Sequence, residues 1–321
     1  MAICQICQKG GSNILSRYGV LCCNACQLTH RYHCGSSIMI IDRIYNQEPN
    51  CRYCRFKRNL EIARINDPID PVTVMLDDLS ARHKHREAVF HKYHIDRMVS
   101  IEEALRGVQT KCFAKSNNDY KFTFDERSTM NQITVVGFLK NLDMVQRLGD
   151  DQRDSTKFVR GVRFRYAILA TAFRSYETKK GYLAIANGID IFPDLTKIPD
   201  GVFDPKFLDK IRCLLVAKLS ELKVTLNEFL ILSMILICAS GQHIDLSDNG
   251  KEFMRTQMNV YGAALSQLCM RNDSKNGPVR FVELLSVCQV VETTYQHIES
   301  FAQLFRMAVP VIPSRELIKF E

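Results

Sequence analysis

The sequence predicts two domains of different kinds: a small, basic, metal-binding head over residues 1–70 and an all-helical body over residues 99–321, joined by a hinge over residues 71–98. Three observations predict this division. Eight of the 13 cysteines fall within the first 54 residues. Residues 1–66 hold nine Lys/Arg against three Asp/Glu, whereas the remaining 255 residues hold 34 against 32, so the net charge of +8 is concentrated in the head. Beyond about residue 100, apolar residues recur at helical spacing with no alternation of strand length. A chain of 321 residues accommodates two ordinary domains, and 46% hydrophobic with 24% charged residues is the composition of a folded chain.

A membrane-spanning class is excluded at this level, and a secreted one is not expected. No apolar run reaches the roughly 18 residues of a membrane span; the strongest, Phe229 to Ala239, fits a buried core helix. The N-terminal Met-Ala-Ile-Cys-Gln-Ile-Cys lacks the charged-then-apolar pattern of an export signal. Clustered cysteines in such a chain read as metal ligands rather than disulfides, and no membrane partner is expected.

Cys4-x2-Cys7 and Cys23-x2-Cys26 are separated by 15 residues, the spacing of a four-cysteine zinc site. Two intervening residues let a tight turn aim both sulfurs at one ion, and the second pair completes a tetrahedron. Cys22 is an alternative ligand, but only Cys23 has the x2 relation to Cys26. A third pair, Cys51-x2-Cys54, points to a second site. Upstream of it stand Cys34 and the weaker donors His30, His33 and Asp42, so three cysteines are assigned and the fourth ligand is left open. One zinc ion is expected from the first set; the second site is incomplete on sequence grounds.

The runs Tyr18-Gly-Val-Leu-Cys-Cys-Asn-Ala-Cys26 and Cys51-Arg-Tyr-Cys-Arg-Phe-Lys57 resemble the DNA-binding domain of a nuclear hormone receptor, most nearly the expanded nematode group. That resemblance implies two interlocked zinc modules, with the helix starting at the second cysteine pair entering the major groove. It implies base or backbone contacts from Asn24, Ala25, Gln27 and Arg31, and phosphate contacts from Arg52, Arg55, Lys57 and Arg58. The chain departs from the family pattern in several places. Gln27 stands where a base-reading lysine is usual, Thr29 and His30 where two phenylalanines pack, and Tyr32 where an arginine binds phosphate. Glutamine favours adenine over guanine, so the base preference is expected to shift. Each lost ring removes about 1.5–3 kcal/mol of burial. The stretch from Cys26 to Cys51 is short and lacks an intact first pair for the second module, which is therefore degenerate.

Asn66-Asp-Pro-Ile-Asp-Pro71 is expected to end the helix that follows Cys54. In residues 72–98, the runs Arg82-His-Lys-His-Arg86 and His91-Lys-Tyr-His94 mix histidine with basic residues at no ligand-like spacing, so this stretch reads as a charged, partly helical hinge. In the body, Thr225-Leu-Asn-Glu228 is a capping box opening an all-apolar helix. Residues 206–223 carry an apolar stripe of Phe207, Ile211, Leu214, Leu215, Leu219 and Leu222. Pro278 suits a first helical position, and Phe281, Leu284, Leu285, Cys288, Val291, Ile298, Phe301 and Phe305 continue one long helix. A short hairpin is expected around Tyr182–Phe192. A central helix that is apolar on all sides requires more than two layers to bury it.

This body is similar to the ligand-binding domain of the same receptors, a three-layer helical sandwich. The similarity rests on Phe138-Leu-x-x-Leu142 leading to Asp151-Gln152, on Leu222 to Phe229, and on Pro278 to Leu285. It implies a pocket for a small lipophilic ligand, and a homo- or heterodimer with another receptor through the helix that starts at Pro278. It further implies a groove for the helices of transcriptional coregulators, with Lys140 and Glu316 as its end charges. Met144, Phe173 and Met234 are expected as core rather than pocket lining. The function implied is that of a nuclear transcription factor that binds DNA through zinc and is regulated through the body. The alternative is an interaction protein of the same fold that dimerises without reading a DNA sequence. Catalysis is not expected: four thiolates leave no open metal position, and His243 near Asp245 is an isolated loop pair.

Overall fold

The computed structural model describes residues 14–17, 20–23, 70–95, 100–106, 112–114, 124–148, 152–185, 190–192 and 204–308. The chain divides into two compact units, Met1–Met75 and Leu76–Glu321. In the first, strands β1 (Ile14–Arg17) and β2 (Val20–Cys23) pair antiparallel, with Ile14 opposite Cys23 and Arg17 opposite Val20.

Helix α1 spans Pro71–Lys92. Asp70 accepts from the Thr73 amide at 2.9 Å and from the Thr73 hydroxyl at 2.8 Å, and Pro71 occupies the first helical position. The Asp70-Pro71 pair is a helix start, because Asp satisfies an unpaired N-terminal amide and Pro has none to satisfy; the helix end expected before it lies outside the described residues. Leu79, His83, Arg86 and Phe90 of α1 are buried, and the second unit begins at Leu76. Strand β3 (Tyr93–Ile95) follows and pairs with β4 (Cys112–Ala114), a short ladder below the length at which alternation shows in a sequence.

The other helices are α2 (Ile101–Leu105), α3 (Phe124–Lys140), α4 (Asp143–Arg147), α5 (Gln152–Glu177), α6 (Pro205–Leu222), α7 (Leu226–Gly241), α8 (Asp248–Asn272) and α9 (Gly277–Ala308). The hairpin expected around Tyr182–Phe192 is reduced, among the described residues, to one antiparallel bridge between Ala184 and Asp190. Helix α5 packs against α3, α6, α7 and α9, and α7 against α5, α8 and α9, which puts α5 and α7 at the centre of the body. Helix α7 is buried from Glu228 through Cys238, as its uninterrupted apolar sequence requires. Phe229 stacks on Phe173 of α5 at 3.9 Å between ring centroids. On α9 the buried residues Leu284, Val287, Val291, Thr294, Ile298, Phe301 and Phe305 alternate three and four apart, a seam facing inward along the whole helix. Thr294 fits this seam because its hydroxyl donates to the Val290 carbonyl at 2.8 Å.

One carboxylate joins three helix ends. Thr225 and Glu228 form the expected capping box, with the Glu228 Oε2 accepting from the Thr225 amide at 2.8 Å and the Thr225 hydroxyl at 2.9 Å. The same carboxylate accepts two bonds from the Arg280 guanidinium of α9, at 2.8 and 2.9 Å, and Arg280 also donates to the Leu222 carbonyl at the end of α6, at 2.7 Å. Burial pushes the Glu228 carboxyl up, but hydrogen bonds from Arg280 and Thr225 outweigh it and hold the group below the usual carboxylate range. A buried carboxylate that accepts four hydrogen bonds costs little; without Arg280 it would keep two of them and lose its counter-charge.

A second polar cluster ties α1 to α3 and α5. Glu87 accepts from Arg174 at 2.8 and 3.0 Å and from Arg86 at 2.7 Å, and Arg86 donates onward to the Asn131 Oδ1 at 3.0 Å. Arg174 lies over the Phe90 ring at 4.2 Å. His83, edge-on to Phe229, is held neutral by burial, its pKa lowered from 6.5 to about 4.

Removing Arg280 strands the Glu228 charge, so Arg280→Ala is expected to lower the unfolding free energy by about 3–5 kcal/mol in urea titration. The double variant Glu228→Gln/Arg280→Leu should lose less than Arg280→Ala alone. For His83 the folded form binds fewer protons than the unfolded chain between pH 6.5 and about 4, so stability rises with pH across that window and falls on acidification. Replacing His83 by Phe should flatten the pH dependence of the denaturation midpoint there, removing a loss on the order of 3 kcal/mol. An unchanged slope would exclude His83 as its source.

Candidate functional site

Residues expected to carry function fall into two groups. In the head, Cys22 and Cys23 lie on β2, which brings Cys23 opposite Ile14 at the open end of the hairpin, three positions before Cys26. The other expected ligands, Cys4, Cys7, Cys26, Cys34, Cys51 and Cys54, lie outside the described residues, as do Asn24, Ala25, Gln27, Arg31, Arg52, Arg55, Lys57 and Arg58. Glu316, the expected second end charge of the groove, lies outside them too.

In the body, Lys140 is the last residue of α3 and is half-buried. Its ammonium donates to the Leu105 carbonyl at the C-terminal end of α2, at 3.1 Å. Helix α2 packs against α3 and α5, with Leu105 buried. A capping box closes its other end: the Ser100 hydroxyl accepts from the Glu103 amide at 3.2 Å, and the Ser100 amide donates to the Glu103 carboxylate at 2.8 Å. Glu102 pairs with Arg160 of α5 at 2.7 Å. A cation at a helix C-terminus meets the carbonyls that the helix leaves unpaired, so this arrangement holds a helix by its end. A Ser-x-x-Glu pattern could have shown the capping box at Ser100; the contact between Leu105 and Lys140 has no sequence signal.

Among the described residues, a cleft of about 160 Å³ opens between α1, α4 and α8, lined in part by Asp78, Arg82, Asp143, Arg147, Gln257 and Tyr261. Arg82 is already paired there, with Asp78 at 2.7 Å and Asp143 at 2.9 Å. The volume is below the roughly 300 Å³ at which small-molecule pockets begin. Met144, Phe173 and Met234 are each buried in the helical core. His243 is exposed, and Asp245 bonds instead to Lys157 of α5 at 3.0 Å, which separates the loop pair. Sequence reading missed the Glu87 cluster altogether. Its residues look like solvated hinge and helix charges until α1 is folded onto α3 and α5. No helix among the described residues is long and apolar enough to cross a membrane.

Residues 123–308 match the ligand-binding domain of nuclear hormone receptor. The chain is 30% identical over 327 residues to nuclear hormone receptor family member nhr-27 of Caenorhabditis elegans, covering 96% of this chain and 88% of that protein. It is 28% identical over 317 residues to family member nhr-9 of the same organism, covering 94% and 89%. Family member nhr-52 is 23% identical over 343 residues, covering 98% and 97%. The matched family is one of receptors, not enzymes. Its ligand-binding domain covers more than half of the sequence, from the start of α3 to the end of α9, and the chain belongs to the nuclear hormone receptor family.

Proposed function

We propose that the protein is a nuclear transcription factor: residues 1–70 bind zinc and DNA, and the helical body is regulated by binding coregulators or a small lipophilic ligand. The observation that carries this reading is the extent of the similarity. Family relatives align over nearly the whole chain, including the cysteine-rich head, while the ligand-binding domain accounts for the body. Four thiolates from Cys4, Cys7, Cys23 and Cys26 are the donor set of a structural zinc ion, and β2 carries Cys23 at a strand end where the x2 pair with Cys26 begins. These four would hold the ion, which supplies fold rather than chemistry. Cys34, Cys51 and Cys54 are the donors offered to a second ion. Asn24, Ala25, Gln27 and Arg31 are assigned to the DNA major groove, and Arg52, Arg55, Lys57 and Arg58 to phosphates.

In the body, the central position of α5 and α7 supports the three-layer sandwich. Lys140 is assigned as the cation of the coregulator groove, because it is the end of α3 and already meets helix carbonyls. Glu316 is its proposed opposite charge. Dimerisation is assigned to the start of α9, where Val279 and Val282 are 61% and 65% exposed beside Met270 of α8 at 42%. A second reading, dimerisation without sequence-specific DNA contact, is favoured by Gln27, Thr29 and His30 in the recognition helix.

Native mass spectrometry of the full chain tests the head. Cys7→Ser is expected to release one zinc while leaving helical circular dichroism nearly unchanged, and DNA affinity should fall with it. Retention of the same zinc count would exclude Cys7 as a ligand. DNA affinity that is equal for all sequences and collapses with salt would favour the second reading. For the dimer face, Val279→Lys/Val282→Lys should shift the sedimentation coefficient from dimer to monomer; an unchanged dimer would move the interface elsewhere.

A further inference from the structure

Lys140 is not an open cation. Its ammonium is 3.1 Å from the carbonyl of Leu105, the last residue of α2, and α2 lies on α3 and α5. The sequence of α2, Ile101-Glu-Glu-Ala-Leu105, places apolar residues first, fourth and fifth, the spacing by which an amphipathic helix anchors in a groove. Leu105 is buried and the C-terminal carbonyl of α2 lies on the lysine, while Glu102 near its N-terminal end pairs with Arg160 of the receiving face.

The forces holding α2 are small. A single helical turn is far below the length at which a helix persists alone in water, so α2 exists only as a docked element. The Glu102–Arg160 pair has side chains about half exposed, 51% and 49%, and exposed pairs contribute little. The other contacts shown are the burial of Leu105, the capping box and one charge-assisted hydrogen bond. A longer external helix offers the same groups with more buried surface. The internal copy has the advantage of being tethered, which raises its effective concentration.

We propose that α2 is a built-in competitor for the coregulator groove: it occupies the Lys140 end, and an external amphipathic helix binds by displacing it. This rests on the assignment of Lys140 to that groove. The partner is defined by its chemistry: a helix with apolar residues at i, i+3 and i+4 whose C-terminal carbonyls reach Lys140. A coregulator then meets a surface that is closed in the resting chain, and anything that loosens residues 100–106 opens it.

The test uses a fluorescein-labelled synthetic peptide copying residues 98–108 as probe, titrated with the full chain by fluorescence anisotropy. Two variants undock α2. Leu105→Ser removes its buried anchor, and Ser100→Ala/Glu103→Ala removes its caps by changing residues outside the core, which keeps the test valid where the first variant fails to fold. If the closed state holds about nine-tenths of the chain, undocking raises probe affinity about tenfold. Lys140→Glu in the undocked background should abolish that gain. Equal affinity for the wild-type and undocked chains would overturn the competition and leave the groove in place. Absence of probe binding to every form would overturn the groove assignment and the competition with it.

Discussion

The Glu228 carboxylate is where the body is fastened. It closes the N-terminus of α7, accepts the Arg280 guanidinium from α9, and through Arg280 is joined to the last carbonyl of α6. Each of those three helix ends would otherwise carry unpaired backbone groups or a lone charge into a buried region. The apolar face of α7 supplies most of the burial, but burial alone does not fix direction. Packing of an all-apolar helix is tolerant of rotation and sliding, whereas a bidentate guanidinium–carboxylate pair is not. The pair therefore sets the register in which α6, α7 and α9 meet, and the Phe173–Phe229 stack and the α9 seam follow from that register.

A second constraint acts at the other side of α7. Glu87 gathers Arg86 and Arg174, and these bring α1 onto α3 and α5 despite its polar sequence. Here lies the main difference between what the sequence displays and what folds. The capping box at Thr225, the all-apolar run after it, the stripe of α6 and the seam of α9 are local patterns, and all were legible. Helix α1 was not, because its buried face interleaves Leu79 and Phe90 with His83 and Arg86, polar side chains whose burial depends on partners far away in sequence. Read locally, Arg82 to Arg86 is a solvated hinge. Folded, Arg86 is a neighbour of Asn131, and Glu87 of Arg174. The β3–β4 pair was hidden for a simpler reason, since three residues are too few to show alternation. Lys140 was assigned through the family resemblance, but not its engagement by Leu105, which is a tertiary contact between segments with no shared pattern.

The two kinds of contact differ in strength, and function follows from that difference. Around Glu228 and α7, charge, hydrogen bonds and deep burial reinforce one another and give a frame that opens only with the whole fold. Over Lys140 lies a single turn of helix whose described contacts include buried Leu105, a part-buried bond from Lys140 and an exposed ion pair from Glu102. Such an element opens locally at low cost. The proposed competition uses both: a frame that keeps the helices in register, and a covering segment that yields to a partner.

Native-state hydrogen exchange of the full chain, read peptide by peptide, compares these two regions directly. The account predicts that the amides of α7 exchange only through global unfolding and follow added denaturant. Those of residues 100–106 should exchange orders of magnitude faster through a local opening that denaturant barely affects. Protection of residues 100–106 equal to that of α7 would contradict it, since α2 would then be part of the frame and unable to act as a cover.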